Sequence, residues 1–259
     1  MSHFVAVTVG NTTAAIAVAT RGTLGRVRRV PVDRIEALRA YLVKARRQNG
    51  IRPIPIVAAS VNPAALEHLR LVAAGAAPGS HVYVARDDFP IPIRSDVDQP
   101  KRIGADRLLG ALAALRQFHG ACIVVDAGTA VTVNAVSARG VFLGGAIFPG
   151  LSMMARALAE GTALLPAVSP AGRPPVIGKS TEAAIIAGIV SGTAGAICNL
   201  ISAARTVVGP DARVILTGGD ARRLAGFLPK DCRDVQPNLV LEGLVIAYRE
   251  WSANRRPAR

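Results

Sequence analysis

Two carboxylates stand where they could do chemistry: Asp106 in "RIGADRLLGALAAL" (102–115) and Asp126 in "CIVVDAGTAVTV" (122–133). Asp106, followed by Arg107, lies at or near the start of a helix. A carboxylate there accepts backbone N–H groups and gains about 0.3–1 kcal/mol from the helix dipole. The same group beside a phosphate site could act as a general base or orient an attacking hydroxyl. Asp126 closes an apolar strand just before a small turn that carries Gly128 and Thr129. It could bind a cation that offsets phosphate charge, or simply bond its own turn. "VGNTT" (9–13) sets Gly10, Asn11, Thr12 and Thr13 between two apolar runs, offering N–H groups and hydroxyls to a phosphate or forming an ordinary hairpin. "LTGGDA" (216–221) puts Gly218 and Gly219 after a strand, for close approach of a flat ring or for a tight turn.

The surrounding patterns supply elements to hold these residues. Residues 4–9 and 14–19 predict a hairpin, with "RVRRVPV" as a third strand, and 33–49 carry apolar positions at helical spacing. "IPIVAASV" and "HVYVA" predict short strands, and "PAALEHLRLVAAG" a helix opened by proline. Residues 86–100 predict a loop and residues 105–118 a helix. From residue 121 the strand–turn–strand pattern restarts. At an offset of 126 − 8 = 118 residues, and without a gap, Thr8 falls on Asp126, Gly10 on Gly128, Ala17-Val18 on Ala135-Val136, and Arg21-Gly22 on Arg139-Gly140. Two similar lobes follow, residues 1–118 and 119–259, each opening with a three-stranded antiparallel sheet and each aiming a small turn at a shared cleft. Ser180 is expected to cap a long small-residue helix, and a final helix is expected in "PNLVLEGLVIAYREW".

Composition narrows the field. Hydrophobic residues make up 51% of 259 and aromatics 4%, so a large aliphatic core is expected rather than disorder. No apolar run is expected to reach the length of a membrane span, and the N-terminus lacks the pattern of a secretory leader, so a cytoplasmic protein is expected. The three cysteines are far apart, with no metal or disulfide spacing. The net charge is 31 − 17 = +14, almost all from arginine and dispersed apart from "RVRR" (26–29) and "NRRPAR" (254–259), which argues against a nucleic-acid partner. There is no GxxxxGK[ST] and no GxGxxG between a strand and a helix.

Taken in order, "VGNTT", "IGADR", "DAGTAVTV", "GGAIFPGL", "IGKSTEAAIIAGI", "LTGGDA" and "LVLEGL" resemble the type III pantothenate kinases, within the superfamily of acetate kinases, sugar kinases and actin. The likeness covers nearly the whole chain. It implies an α/β fold of two ribonuclease H-like (actin-like ATPase) lobes with an ATP cleft between them. It also implies ATP-dependent phosphorylation of pantothenate, Mg²⁺ with ATP, a monovalent cation (K⁺ or NH₄⁺) and a homodimer. By family motif, Asp106 would be the base. Gly104, Ala105, Arg107 and Thr181 would contact pantothenate, and Asp126 would hold the monovalent cation. The position of Thr8, with Gly10, Asn11, Thr12, Thr13, Gly128, Thr129, Gly218 and Gly219, would serve ATP. The chain departs from the family twice. Thr8 stands where the family has an aspartate, and Val97 where a tyrosine is common. Those departures define the alternative, a homologue that keeps the fold but acts as a regulatory or binding protein.

Overall fold

Strand β1 (His3–Val9) is apolar on both faces, which places it in the middle of a sheet covered on each side. Val5, Val7 and Val9 point into one buried cluster, Phe4 and Ala6 into another. The computed structural model describes residues 3–254, so most of the basic "NRRPAR" tail lies outside the described residues. β2 (Thr13–Thr20) pairs antiparallel with β1, and both β3 (Thr23–Leu24) and β4 (Arg28–Pro31) pair with β2. The helix expected over 33–49 begins as a 3-10 segment, Val32–Ala37, and becomes α1 only at Leu38–Gln48. β5 (Ile56–Ser60) runs parallel to β1. α2 (Pro63–Ala76) opens on proline, and the Asn62 side chain caps it by accepting the Ala65 N–H at 3.0 Å. β6 (Val82–Val84) adds parallel to β5, giving the order β3-β2-β1-β5-β6.

Helices α1 and α2 cover the valine face of this sheet with Leu38, Leu42, Leu69 and Val72. The opposite face meets α3 (Ala105–Phe118) and the C-terminal helix (Leu239–Asn254) through Leu109, Leu112, Leu244 and Tyr248. Each such leucine, fully buried, contributes about 1.5–3 kcal/mol. The helices touch at Gly243, where a Cβ would collide with the Leu109 carbonyl. Beside them Phe4, Tyr83, Phe89, Tyr248 and Trp251 form one aromatic cluster, with ring centroids 4.8–5.7 Å apart.

The second sheet repeats the plan. β7 (Arg94–Ser95) lies in the segment expected to be only a loop and pairs in parallel with Val141 and Phe142. β8 (Cys122–Ala127), β9 (Ala130–Val136) and β10 (Val141–Pro149) form an antiparallel meander. After α4 (Leu151–Gly161) and α5 (Thr181–Val208), β11 (Arg213–Thr217) joins parallel to β8. The short α6 (Ala221–Ala225) then leads to β12 (Asp234–Val235), and the C-terminal helix is α7. β8, β9, β11 and β12 thus occupy the places of β1, β2, β5 and β6.

The repeat is real in topology but not gapless. Thr8 opposes Ala15, whereas Asp126 opposes Thr132, so the second hairpin is one residue shorter. The Gly10 N–H donates to Thr13 O, three residues on, and the Gly128 N–H to Ala130 O, two residues on. The identity of Ala17-Val18 with Ala135-Val136 is therefore out of register. Ala17 opposes Ala6, but Ala135 opposes Ile123 rather than Val124.

The chain packs as two compact units. One holds residues 3–93, 99–113 and 238–254 of those described, the other 94–98 and 114–237. This differs from a division at 118/119, because α7 packs on the first sheet rather than the second. One expectation is also corrected. α5 is long and apolar enough to cross a membrane by length and composition. Ile185, Ile189, Val190, Ile197 and Ile201 on it are buried in the second unit's core.

Candidate functional site

In the first unit the ends of β1 and β5 lie together, with the Val61 N–H donating to Val9 O at 3.1 Å. Thr8, half-buried, is the penultimate residue of β1, and Gly10 with exposed Asn11, Thr12 and Thr13 leads off that end. Gly104 reaches the same place, since a Cβ on it would lie 3.8 Å from Val61 Cγ1. Carboxyl ends of strands are where open α/β sheets collect ligands. Ala105 is buried, and Asp106 and Arg107 are half-buried in the first turn of α3. The Arg107 N–H donates to Asp106 Oδ1 at 2.8 Å. Burial holds the Asp106 carboxyl above the usual carboxylate range, against the opposing pull of that N–H and of the Arg107 charge. Burial likewise pulls the Arg107 guanidinium below its ordinary value, while Asp106 raises it. An aspartate poised in this way is closer to the pKa wanted of a general base.

In the second unit Asp126 is the penultimate residue of β8, and the turn of Gly128 and Thr129 follows the strand. Two glycines hold this turn: Gly150, which was not among the expected site residues, and Gly218, which was expected to serve ATP. The Gly150 N–H donates to Thr129 O at 3.0 Å, and a Cβ on Gly150 would collide with the carbonyls of Gly128 and Thr129. Gly218, at φ +96°, lies against the Ala127 carbonyl and 2.5 Å, measured from an added Cβ, from Asp126 Oδ1. Only glycine fits there, on both conformational and steric grounds. Gly219 has open space around it. Asp220, also missed, anchors this loop: its N–H donates to Ala127 O at 2.9 Å, and burial raises its carboxyl pKa, with Arg223 opposing. Its signal in the sequence was its place directly after the double glycine. Thr181 is exposed as the first residue of α5, whose Ser180 side chain accepts the Ala183 N–H at 3.2 Å. Val97 packs near Gly144, whose added Cβ would lie 3.6 Å from it.

The structure thus gathers Thr8, the 10–13 turn and residues 104–107 at one end of the first sheet. It gathers Asp126, Gly128, Thr129, Gly218 and Gly219 at the corresponding end of the second. Among the described residues no group of three or more His, Cys, Asp or Glu could hold a metal ion. The carboxylates, hydroxyls and carbonyls at these strand ends are oxygen donors, the kind that hard cations take.

Comparison with known proteins agrees with this picture. The sequence model of a family described as type III pantothenate kinase matches residues 4–203. A type III pantothenate kinase of Rhodopirellula baltica is 45% identical over 169 residues, covering 63% of this chain and 60% of its own length. The chain therefore spans less than two thirds of that relative. One from Frankia alni is 34% identical over 254 residues, covering 95% of this chain and 98% of its own. Among solved structures, a protein described as a Baf family transcriptional activator from Campylobacter jejuni superposes with a TM-score of 0.63 at 19% identity, over 96% of this chain and 100% of that one. MreB5 of Spiroplasma citri bound to ADP superposes at 0.50 and 13% identity, over 98% of each chain, which identifies the fold as actin-like.

Proposed function

Because the chain belongs to the type III pantothenate kinase family, we propose that it transfers the γ-phosphoryl group of ATP to the hydroxyl of pantothenate, the first step toward coenzyme A. One observation carries the reading: a half-buried carboxylate of raised pKa, Asp106, lies against Gly104, which itself lies near Val61 where β1 and β5 end. In this reading the pantothenate oxygen attacks the γ-phosphorus as the bond to the β–γ bridging oxygen breaks and ADP leaves. The hydroxyl proton passes to Asp106. Arg107 offsets charge near the acceptor, and Gly104, Ala105 and Thr181 contact pantothenate. Gly10 to Thr13, with Gly128 and Thr129, present N–H groups and hydroxyls to the phosphates, and Gly218-Gly219 give adenine room. Such sites work mostly by positioning and electrostatics. Mg²⁺ bound with ATP would neutralise charge on the transferring group, and Asp126 would hold K⁺ or NH₄⁺.

We further read the protein as a cytoplasmic homodimer. The exposed apolar side chains of Leu164, Val176 and Ile177 in the second unit support a partner there. Thr8 supports the second reading, a family member that has kept the fold while losing the reaction, because threonine offers a hydroxyl but no charge to a metal. Incubation of the protein with ATP, Mg²⁺, K⁺ and pantothenate, followed by mass spectrometry for phosphopantothenate, tests the proposal, with Thr8→Asp run alongside. Product from wild type supports the kinase. Product from Thr8→Asp alone identifies Thr8 as the lesion and favours a repurposed protein. Product from neither sinks the kinase reading.

A further inference from the structure

The segment that delivers Asp106 is short of regular structure. Residues Pro100–Arg102 form one 3-10 turn, and Ile103 and Gly104 follow it before α3 begins. Pro100 has no N–H, and the carbonyls of this segment need donors from elsewhere. One side chain supplies them. Arg86 Nη2 donates to Lys101 O at 2.7 Å and to Pro100 O at 3.2 Å, and Arg86 Nη1 donates to Ile103 O. The backbone is bent to make this possible. Arg86 sits at φ +79°, a conformation that arginine rarely adopts. The turn around it is pinned, with the Arg86 N–H donating to Phe89 O and the Val84 N–H to Asp88 Oδ2, both at 2.7 Å. Phe89 is itself locked in the aromatic cluster. A left-handed arginine held from both sides and spending its fork on three carbonyls reflects a built arrangement.

We propose that Arg86 is a positioning residue for the reaction, fixing the 100–103 segment so that Gly104 and Asp106 are held in register at the strand end. The inference rests on the kinase reading of Asp106. Arg86 need not touch substrate; it acts through the loop. A planar guanidinium can serve three acceptors at once, and a lysine ammonium, one compact charge, cannot match that fork.

The test uses Arg86→Ala and Arg86→Lys in the full chain. Lys101 and Arg102 are exposed, so trypsin cleavage after them, followed by mass spectrometry of the new termini, reads how firmly the segment is held. Initial rates of phosphopantothenate formation read the consequence. Both variants are expected to be cut faster there. Arg86→Ala should lose roughly 10²-fold in kcat at saturating substrates with KM for ATP unchanged, the scale that a misplacement of about 1 Å costs. Arg86→Lys should fall between it and wild type. Unchanged cleavage in both variants overturns the anchoring role, and faster cleavage with unchanged kcat overturns the link to Asp106. If Arg86→Ala melts below the assay temperature, the folded Arg86→Lys decides alone by the same two readouts. A wild type that forms no phosphopantothenate sinks the kinase reading and this inference with it; an active wild type with indifferent variants sinks the inference only.

Discussion

Gly104→Ala is the substitution that separates Asp106 from everything else around it. A Cβ built on Gly104 would lie 2.4 Å from Asp106 Oδ1, with the next atoms at 3.6 Å (Asp106 Cγ) and 3.8 Å (Val61 Cγ1). Contact between a methyl carbon and a carboxylate oxygen wants about 3.2–3.4 Å, so the oxygen must retreat by roughly 0.8–1.0 Å. The obstacle is a side chain rather than backbone, so the fold can yield. Gly104 has no left-handed φ to forbid alanine, and loss of glycine's freedom in the unfolded chain favours the variant by about 0.4–1 kcal/mol. Stability should therefore stay within about 1 kcal/mol of wild type in a urea titration. Turnover should not. A displacement of about 1 Å at the reacting group costs on the order of 10²-fold, and complete loss of a general base about 10²–10⁴-fold. We expect kcat for phosphopantothenate formation to fall roughly 10²-fold with KM for ATP little changed. Gly161→Ala, at a site with nothing within 4 Å, is the control. Near-normal turnover in Gly104→Ala would refute the reasoning, because the carboxylate would then be free to move without consequence.

Other outcomes follow from the same geometry. Asp106→Asn should abolish turnover yet not destabilise the fold at neutral pH. Burial raises the folded pKa of Asp106, so its stabilising balance is best at low pH and is lost as pH rises through that value. Urea melts against pH should show wild type losing ground to the variant as pH increases; the opposite trend contradicts the assigned direction. Gly218→Ala should cost roughly 2–4 kcal/mol, because the new Cβ meets the backbone carbonyl of Ala127 at φ +96°, and a thermal melt no lower than wild type would count against it. Burial pushes the Cys122 thiol up to about 12, so iodoacetamide at pH 8 should modify it only after denaturation; labelling of the native protein would contradict its burial.

Much of the fold was legible because it is written in short-range chemistry. Pro63 opens a helix as expected, and the cap expected of Ser180 is made; the Asn62 cap ahead of Pro63 was not read. Residues 105–118 were read as a helix and are one. What escaped was set by tertiary structure. β7 and β12 are two residues long, too short for any periodicity, and exist only because a neighbouring strand has open N–H and C=O groups. The apolar spacing of 33–49 is the same for 3-10 and α geometry over its first turn. The missing residue in the second hairpin was hidden by chance identities among alanine and valine. At the site, the carboxylates and turns could be read from residue type. Gly150 and Arg86 could not, because their roles lie in distant carbonyls that no local pattern announces.

The aromatic cluster makes the chain a lopsided optical object. Its single tryptophan and all three of its tyrosines, Tyr41, Tyr83 and Tyr248, belong to the first unit, and the second carries only phenylalanines. Light absorbed by Tyr83 or Tyr248 is delivered to Trp251, whose ring centroid lies 5.7 Å and 5.6 Å from theirs. Intrinsic emission is thus a private signal of one half of the molecule, while far-ultraviolet dichroism sums the helices of both. Recorded together through a melt, the two signals turn the uneven spending of a few rings into a measure of whether the halves come apart as one or in sequence.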